Sequence, residues 1–234
     1  RNHRMLVRKW DECKRTLSNR YTFQEAERLG WYVGLPHAPS GFIGTELVRI
    51  GIEDDREYAG DDFVALCGLV TSDGYAGGSE SAKSLVSFCC FDPKRYDMVA
   101  ARAHRLGFVE QPSRKGVWNT YRIGLANWFR VNGYFGQPHK AQNKKVPDII
   151  KWAASSQIRR FLEFFGDKDH AESNVRFYST SKRLIDDLQE LHLRIGKRST
   201  VGYRGPREGH VISSSGRFAA SPGCWQLYVS DTDH

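Results

Sequence analysis

Two short acidic segments of the chain have the residue types and spacing for phosphoryl chemistry. The first, residues 66–74, is an apolar run that leads into Asp73-Gly74, and a looser copy at residues 162–170 carries Asp169. A carboxylate at the C-terminus of a helix is unfavourable by roughly 0.3–1 kcal/mol, and bringing two together adds repulsion. A divalent cation reverses both effects and activates water near a phosphodiester. The pair therefore predicts a metal site, whereas either corner alone would be an ordinary solvated turn.

The segments that flank the two corners repeat as well. Each half reads as a capped helix, an acid, a strand, a second capped helix that ends at a glycine, and further strands. Identical residues recur 89 positions apart: Val86 and Val175, Phe88 and Phe177, Arg105 and Arg194, Gly107 and Gly196. A chance resemblance would give one or two such matches, and a constant spacing in matching order favours an internal duplication.

The composition indicates a folded, basic protein. The 234 residues are 40% hydrophobic, the formal net charge is +8 and the isoelectric point is about 9.3. A basic balance favours polyanionic partners, nucleic acid first, although an unspecialised basic surface would carry the same charge. The five cysteines include no C-x-x-C pair, so reduced, buried thiols are expected rather than a zinc site or a cysteine nucleophile.

The sequence contains no apolar run of membrane-spanning length and no secretory leader. We therefore expect a cytoplasmic protein with access to DNA and no membrane partner. The chain begins at Arg1 rather than Met, which reads as the interior of a longer polypeptide.

Local signals predict the helices that position the two corners. A helix over residues 61–73, with Asp61 or Asp62 as its N-cap, carries the first corner, and a helix over residues 157–166, capped by Ser155 or Ser156, leads to the second. Each is followed by a strand and another helix. Those two later helices open at Asp92-Pro93 and at Ser181 and end at Gly107 and Gly196.

Strands are predicted over residues 84–91, 175–178, 200–203, 210–213 and 225–229. Aromatic residues at alternating positions predict a strand hairpin over residues 117–131. The N-terminal part is harder to interpret: residues 11–29 have weak helical periodicity, and the acidic, polar residues 51–60 read as a linker. A basic loop is expected at residues 137–145.

The first corner resembles the motif of the LAGLIDADG homing endonucleases. The matching residues are Leu66, Gly68, Leu69, Asp73 and Gly74. The second corner matches at Ile158, Phe161, Leu162, Asp167 and Asp169, but Phe164 stands where a packing glycine is expected and His170 replaces the final glycine. Residues 177–184 resemble the family more specifically. The resemblance spans residues 61–234 and is to the single-chain, two-repeat type that often forms the endonuclease region of an intein.

The resemblance implies an α+β fold of two pseudo-symmetric αββαββα repeats, with antiparallel saddle-shaped sheets and two central packed helices. The repeats would occupy residues 61–150 and 151–234. Residues 1–60 would be an N-terminal extension, either a linker or a remnant of an intein splicing domain, since residues 3–7 resemble a splicing-domain block. The chain has no N-terminal Cys or Ser and no C-terminal Asn, so self-splicing is not expected.

The same resemblance implies which residues do the chemistry. Asp73 and Asp169 would hold Mg²⁺ or another divalent cation, helped by the backbone carbonyls of Ser72 and Lys168. Lys144, in the Lys144-Lys145-Val146-Pro147 element, matches a catalytic basic residue of the family; the alternative is a solvated loop lysine that only contacts phosphate. The second half offers no equivalent lysine, and its basic candidates are Arg204, Arg207 and Arg217.

The expected partner is double-stranded DNA with a long specific site, bound by a monomer. Basic side chains on or near the strands are the expected DNA contacts: Lys83, Arg114, Lys115, Arg122, Lys140, Lys145, Arg176 and Arg204. Phe164 and His170 favour the alternative, a catalytically degenerate nucleic-acid-binding protein of maturase-like or regulatory type on the same fold.

Overall fold

The computed structural model of the protein describes residues 4–11, 16–25, 33–34, 44–52, 56–77, 84–134, 140–166, 174–211, 218–221 and 223–230. The chain divides into two compact units, Arg1–Gly41 and Phe42–His234. Among the described helices, none combines the length and the apolar character needed to cross a membrane.

Over its described residues, the first unit forms a three-stranded antiparallel sheet. Strand β1 (Arg4–Asp11) lies between β2 (Thr16–Glu25) and β3 (Val33–Gly34). The helical periodicity of residues 11–29 is therefore wrong for the described residues 16–25, which form β2. Leu17, Tyr21 and Phe23 in β2 share a period-2 spacing, and residues of their types fit a half-buried strand better than a helix.

Residues 51–60 are not a linker but part of a hairpin that leads into the first motif helix. Strand β4 (Arg49–Ile52) pairs antiparallel with β5 (Arg56–Ala59). Ile52 and Tyr58 point into the core and are buried. The acidic composition of this stretch misled the sequence interpretation, because only two of its side chains need to be buried to anchor a short hairpin.

The first half of the second unit has the predicted αββαββα order. It comprises α1 (Gly60–Asp73), β6 (Tyr75–Ala76), β7 (Leu85–Cys89), α2 (Pro93–Arg105), β8 (Val109–Glu110), β9 (Val117–Tyr121) and α3 (Ile123–Asn132). Its four strands form one antiparallel sheet in the order β6-β7-β9-β8.

The second half is built from α4 (Asp148–Lys151), α5 (Ser155–Phe165), β10 (Asn174–Ser179), α6 (Lys182–Arg194), β11 (Arg198–Arg204), β12 (Arg207–Val211), β13 (Phe218–Ser221) and β14 (Cys224–Ser230). Strands β10, β14 and β11 form an antiparallel sheet in that order, and β12 pairs with β13.

The two halves share an arrangement of three strands and one connecting helix. In the first, β7 pairs with β9 and β9 with β8, and α2 connects β7 to β8. In the second, β10 pairs with β14 and β14 with β11, and α6 connects β10 to β11. Both connecting helices are followed by a glycine in the left-handed region, Gly107 (φ 75°) and Gly196 (φ 80°). The repeated sequence thus corresponds to a repeated α+β architecture of antiparallel sheets.

Helices α1 and α5 pack closely at the centre of the second unit, and Gly68 is the reason they can. A Cβ at position 68 would lie 2.6 Å from the Phe161 carbonyl oxygen and 2.8 Å from the Phe165 amide nitrogen. Phe63, Leu66 and other residues of α1 are fully buried. Only a glycine lets the two backbones approach this closely.

Two of the predicted N-caps are confirmed and two are wrong. Asp92 accepts a hydrogen bond from the Lys94 amide, and Ser181 accepts one from the Leu184 amide. Helices α1 and α5 instead begin after Ala59 and Ala154, without a side-chain cap. The expected capping residues Asp61, Asp62, Ser155 and Ser156 lie inside the first turns of these helices.

The hairpin predicted over residues 117–131 is wrong in its second arm. Residues 117–121 form β9, but residues 123–132 form α3. Leu125, Ala126 and Phe129 are buried, at positions i, i+1 and i+4. That spacing is helical, and the aromatic content of the segment obscured it.

Candidate active site

Asp73 is the last residue of α1, and it is exposed. The Gly74 amide donates to the Val70 carbonyl at 3.0 Å and closes the helix. A Cβ at position 74 would lie 2.3 Å from the Val70 Cα, so the sharp corner requires glycine. The fold therefore presents the Asp73 carboxylate to solvent at the carboxyl end of a buried helix, as the motif predicts.

Lys144 reaches this corner from 70 residues downstream. Its ammonium donates to the Ser72 carbonyl at 2.8 Å and to the Gly74 carbonyl at 3.0 Å. Burial of the ammonium lowers its pKa to about 8, and Asp73 opposes the shift. Lys144 is therefore mostly charged at pH 7, and its charge is held at the negative end of the α1 dipole.

The backbone around Lys144 is fixed by both halves of the second unit. The Ser181 hydroxyl donates to the Lys144 carbonyl at 2.6 Å, and the Val146 amide donates to the Asp187 carboxylate at 3.1 Å. From the first half, the Gly133 carbonyl accepts from the Lys145 amide at 2.9 Å. These bonds to α6 and to the end of α3 keep the lysine in place without help from its side chain.

Asp73 lines two clefts. One, of about 370 Å³, is lined by Asp73, Lys144 and Arg176 among others. The other, of about 470 Å³, is lined by Asp73, Cys89 and Arg95 among others. Burial and the charge of Asp73 both raise the pKa of the Cys89 thiol, so this cysteine stays protonated and is a poor nucleophile.

The second corner differs from the first. Gly68 and Phe164 face each other in the helix pair. Beyond this contact α1 continues for five residues, to Asp73, but α5 continues for only one, to Phe165. The Gly166 amide caps α5 by donating to the Leu162 carbonyl at 2.6 Å. The helix predicted over residues 157–166 is confirmed as α5, and it ends before Asp169 rather than at it. Asp169 and Lys168 themselves lie outside the described residues.

Arg95 is a residue of this region that the sequence did not indicate. It lies in the first turn of α2, and its guanidinium donates to the Gly166 carbonyl at 2.8 Å and to the Glu163 carbonyl at 2.7 Å. The helix start predicted at Asp92-Pro93 places Arg95 in the first turn of a helix. It gives no sign that Arg95 contacts another helix some 70 residues away.

The donors at the first corner suit a hard divalent cation. The Asp73 carboxylate and the Ser72 carbonyl are oxygen ligands of the kind that Mg²⁺ prefers, and Mg²⁺ usually keeps several waters. The Ser72 carbonyl accepts from Lys144 and retains a second lone pair. In the described part of the chain, no group of three or more His, Cys, Asp or Glu residues comes together, so the protein alone would supply few ligands.

The outer face of the second sheet carries two of the predicted DNA contacts. Arg176 and Arg204 are exposed there, and the Arg176 guanidinium lies 5.3 Å from the ring centroid of Tyr228. Arg176 pairs with Tyr228 across the strands, and Tyr228 pairs with Thr200. Arg198 shares this face by its spacing from Thr200, and the sequence interpretation missed it.

The outer face of the first sheet is neutral over its described residues. Tyr75 pairs with Ser87, Ser87 with Asn119, and Leu85 with Tyr121. We expected basic side chains on this face. The described strand alternation puts aromatic and uncharged polar side chains there instead, and Tyr121 is 72% exposed.

The remaining predicted DNA contacts lie at the edges of the first sheet or elsewhere. Arg114 and Lys115 are exposed in the turn between β8 and β9. Arg122 is half-buried and donates to the Tyr58 hydroxyl at 3.1 Å. Lys140 is exposed, whereas the side chain of Lys145 is largely buried and lies 3.4 Å from the Asp148 carboxylate. Lys83 is outside the described residues.

The chain shows limited similarity to known proteins. No protein-family model matches the chain. A solved structure, that of I-DmoI in complex with DNA and calcium, aligns with 73% of this chain and 83% of its own at 14% sequence identity and a TM-score of 0.44. Likeness at this level is low, so the function has to be judged from the site itself.

Proposed function

We propose that the chain is a site-specific homing endonuclease that hydrolyses both strands of duplex DNA with a divalent cation, Mg²⁺ first. The observation that carries the proposal is the contact of Lys144 with the Asp73 corner. The exposed Asp73 carboxylate, the Ser72 carbonyl and the buried Lys144 ammonium lie together at one corner of a basic protein. That combination suits the hydrolysis of a charged phosphodiester.

Asp73 and the Ser72 carbonyl would hold the cation, with water and phosphate oxygens completing its ligand set. When bound, such a cation lowers the pKa of a coordinated water and neutralises charge on the phosphate. Asp169 and the Lys168 carbonyl would serve the second centre in the same way, as the motif implies.

Lys144 would stabilise the negative charge that grows on the phosphate as the bond breaks. Its ammonium has three N–H donors, and two of them go to the Ser72 and Gly74 carbonyls. The third is free to meet a phosphate oxygen. Because its backbone is fixed by Ser181 and Val146 is fixed by Asp187, the charge needs little rearrangement before the reaction.

The two sheets would bind the duplex through their outer faces. The second supplies cations and aromatic rings, Arg176, Arg198, Arg204 and Tyr228, which suit phosphate and guanine contacts. The first supplies Tyr75, Ser87, Asn119 and Tyr121, which suit neutral contacts with base edges. One chain contains both halves, so we propose that it acts as a monomer with two repeats, residues 61–150 and 151–234.

We also propose that the chain comes from the endonuclease region of an intein and acts in the cytoplasm, where DNA is accessible. The support for the intein origin is the likeness of residues 3–7 to a splicing-domain block. The described strands β1 to β3 belong to a separate compact unit, and this is compatible with a remnant of such a domain.

The proposal is tested by selection from a random duplex pool in Mg²⁺ at a stated salt concentration, because protein–DNA affinity depends strongly on salt. Cleaved molecules are sequenced from reactions with the wild type and with Asp73→Asn. A long common site cut only by the wild type is expected. Recovery of the same products from both proteins would rule out Asp73 as a ligand in the reaction.

A non-cleaving nucleic-acid binder is the second candidate. The observation that favours it is the altered second corner, where Phe164 faces Gly68 and α5 ends at Phe165. Calorimetric titration of the protein–DNA complex with Mg²⁺ discriminates the two. An endonuclease loses the part of the binding heat that comes from the cation at this corner in Asp73→Asn. A regulator has no need of a metal there and should show the same heat for both proteins.

A further inference from the structure

We infer that Arg95 is the second-half counterpart of Lys144, a positioning residue that fixes the carboxyl end of α5 for the second centre. The inference rests on the proposed function. The second half has no lysine equivalent to Lys144, and Arg95, from α2 of the first half, would take that place.

The contacts of Arg95 are those of a helix C-cap. The last carbonyls of an α-helix have no partner within the helix, and they favour a cation. The Arg95 guanidinium donates to two of these groups, the Glu163 carbonyl at 2.7 Å and the Gly166 carbonyl at 2.8 Å. A planar fork that holds two carbonyls at once fixes their direction as well as their distance, which a single ammonium does less well.

Lys144 makes the equivalent pair of contacts at α1. Each cation donates to the carbonyl of the cap glycine, Gly74 or Gly166, and to one carbonyl of the preceding turn. Each cap glycine donates in turn to the carbonyl four residues back. Both cations come from a distant part of the chain. The two motif helices are therefore closed by the same device, with arginine in one and lysine in the other.

Phe164 gives a reason why the cation at the end of α5 comes from α2. The residue replaces a packing glycine, and a Cβ at position 68 would stand 2.9 Å from the Phe164 Cβ, which leaves no room for the ring between the helices. The ring is met instead by two arginines of α2: its centroid lies 4.7 Å from the Arg102 guanidinium carbon and 5.8 Å from that of Arg95. Arg95 thus contacts both the altered residue and the carbonyls that follow it.

The consequence is a prediction of unequal effects on the two strands. Arg95 fixes Gly166, and Asp169 follows Gly166 by three residues in sequence. Loss of the clamp should therefore impair the strand served by the second centre, while the Asp73–Lys144 corner keeps its contacts. A displacement of about 1 Å at a reacting group lowers the rate by roughly 100-fold.

The experiment compares Arg95→Ala, Arg95→Lys and the matched control Arg105→Gln. Arg105 is also on α2, but its contacts are with Asp62. Two measurements are made: the cutting rate of each labelled strand of the selected duplex, and hydrogen exchange in the peptide that contains the end of α5. In Arg95→Ala we expect exchange at residues 162–166 to rise and one strand to slow roughly 10- to 100-fold more than the other. Arg95→Lys should recover part of both effects, and Arg105→Gln should show neither.

Two results would overturn the inference. Unchanged exchange at the end of α5 in Arg95→Ala would show that the clamp fixes nothing, and this result is readable even if the protein cuts no DNA. Equal slowing of both strands, with raised exchange, would show a general structural role. A wild type that binds its duplex and cuts neither strand would instead count against the proposed function.

Discussion

Gly68 and Phe164 face each other across the central helix pair, where a Cβ added to Gly68 would lie 2.9 Å from the Cβ of Phe164. Gly68 has no side chain, and Phe164 has one of the largest. The contact keeps the two helix backbones close, because the phenyl ring leaves the interface toward Arg95 and Arg102. The two halves share an arrangement of three strands and one connecting helix, but their central interface is asymmetric.

This contact predicts that Gly68→Val will destabilise the second unit. The new side chain would meet backbone atoms of α5 that cannot move aside, and overpacking of this kind costs about 1–3 kcal/mol. Urea unfolding of the wild type and Gly68→Val gives the loss in free energy of unfolding. Gly51→Val is the control, since a Cβ there meets nothing within 4 Å, and a change of less than about 0.5 kcal/mol is expected. Equal stability of the two variants would contradict the close approach.

Lys144→Met should remove most of the cleavage activity. The substitution keeps the length of the side chain but removes the charge at the Ser72 and Gly74 carbonyls. Loss of one preorganised electrostatic contact typically lowers kcat by roughly 10²- to 10³-fold. Single-turnover cleavage measures it, with Lys140→Met, an exposed lysine of the same region, as the control. If both lysine variants lose activity equally, the region contributes general charge rather than a specific contact.

Asp62 should make the stability of the protein depend on acid pH. The hydrogen bond from Arg105 is the largest influence on Asp62 and lowers its pKa from 3.8, with burial acting in the opposite direction. A carboxyl with a lowered folded-state pKa contributes stability that is present above pH 3.8 and lost as pH falls through the folded value. Urea unfolding of the wild type and Asp62→Asn between pH 3 and pH 6 tests this.

The free energies of unfolding of the wild type and Asp62→Asn should differ most at the upper end of that pH range and converge as the pH falls. Divergence toward low pH would mean that the sign of the shift is wrong. Because Arg105 is more than half exposed, the size of the effect is expected to be modest.

The arginines on the second sheet should set the salt dependence of DNA binding. Arg176→Gln and Arg204→Gln each remove one exposed cation from that face. Each should lower the slope of log K against log salt by about 1, the value for one phosphate contact. Lys94→Gln is the control, because Lys94 is exposed in the first turn of α2 and is not on a strand. An unchanged slope in both arginine variants would mean that DNA lies elsewhere.

Two of the four predicted helix caps are correct, and both depend on a single residue. Asp92 and Ser181 cap helices because their side chains bond the nearby amides of Lys94 and Leu184, and that needs no tertiary information. Asp62 looks like the same signal but lies inside the helix, where Arg105 holds it. A distant partner decided its position, and the local pattern could not show that.

The candidate site divides in the same way. The motif predicted the Asp73 corner, and the Lys144 element predicted a lysine near it, because both are short sequence signatures. The contact of Arg95 with Gly166 depends on how α2 packs against α5, and no local pattern encodes it. The end of α5 at Phe165, by contrast, falls within one residue of the helix end predicted from the sequence.

The most direct test of the account measures Mg²⁺-dependent cleavage and DNA affinity together, for the wild type and Asp73→Asn, on the selected duplex. The carboxylate is exposed and the substitution keeps its shape, so affinity measured without a cleaving cation should stay within about threefold. We predict that the wild type cuts both strands and that Asp73→Asn binds the same site but no longer cuts the strand served by the first centre. Cleavage by Asp73→Asn at the wild-type rate would contradict the central claim that this corner is the catalytic centre.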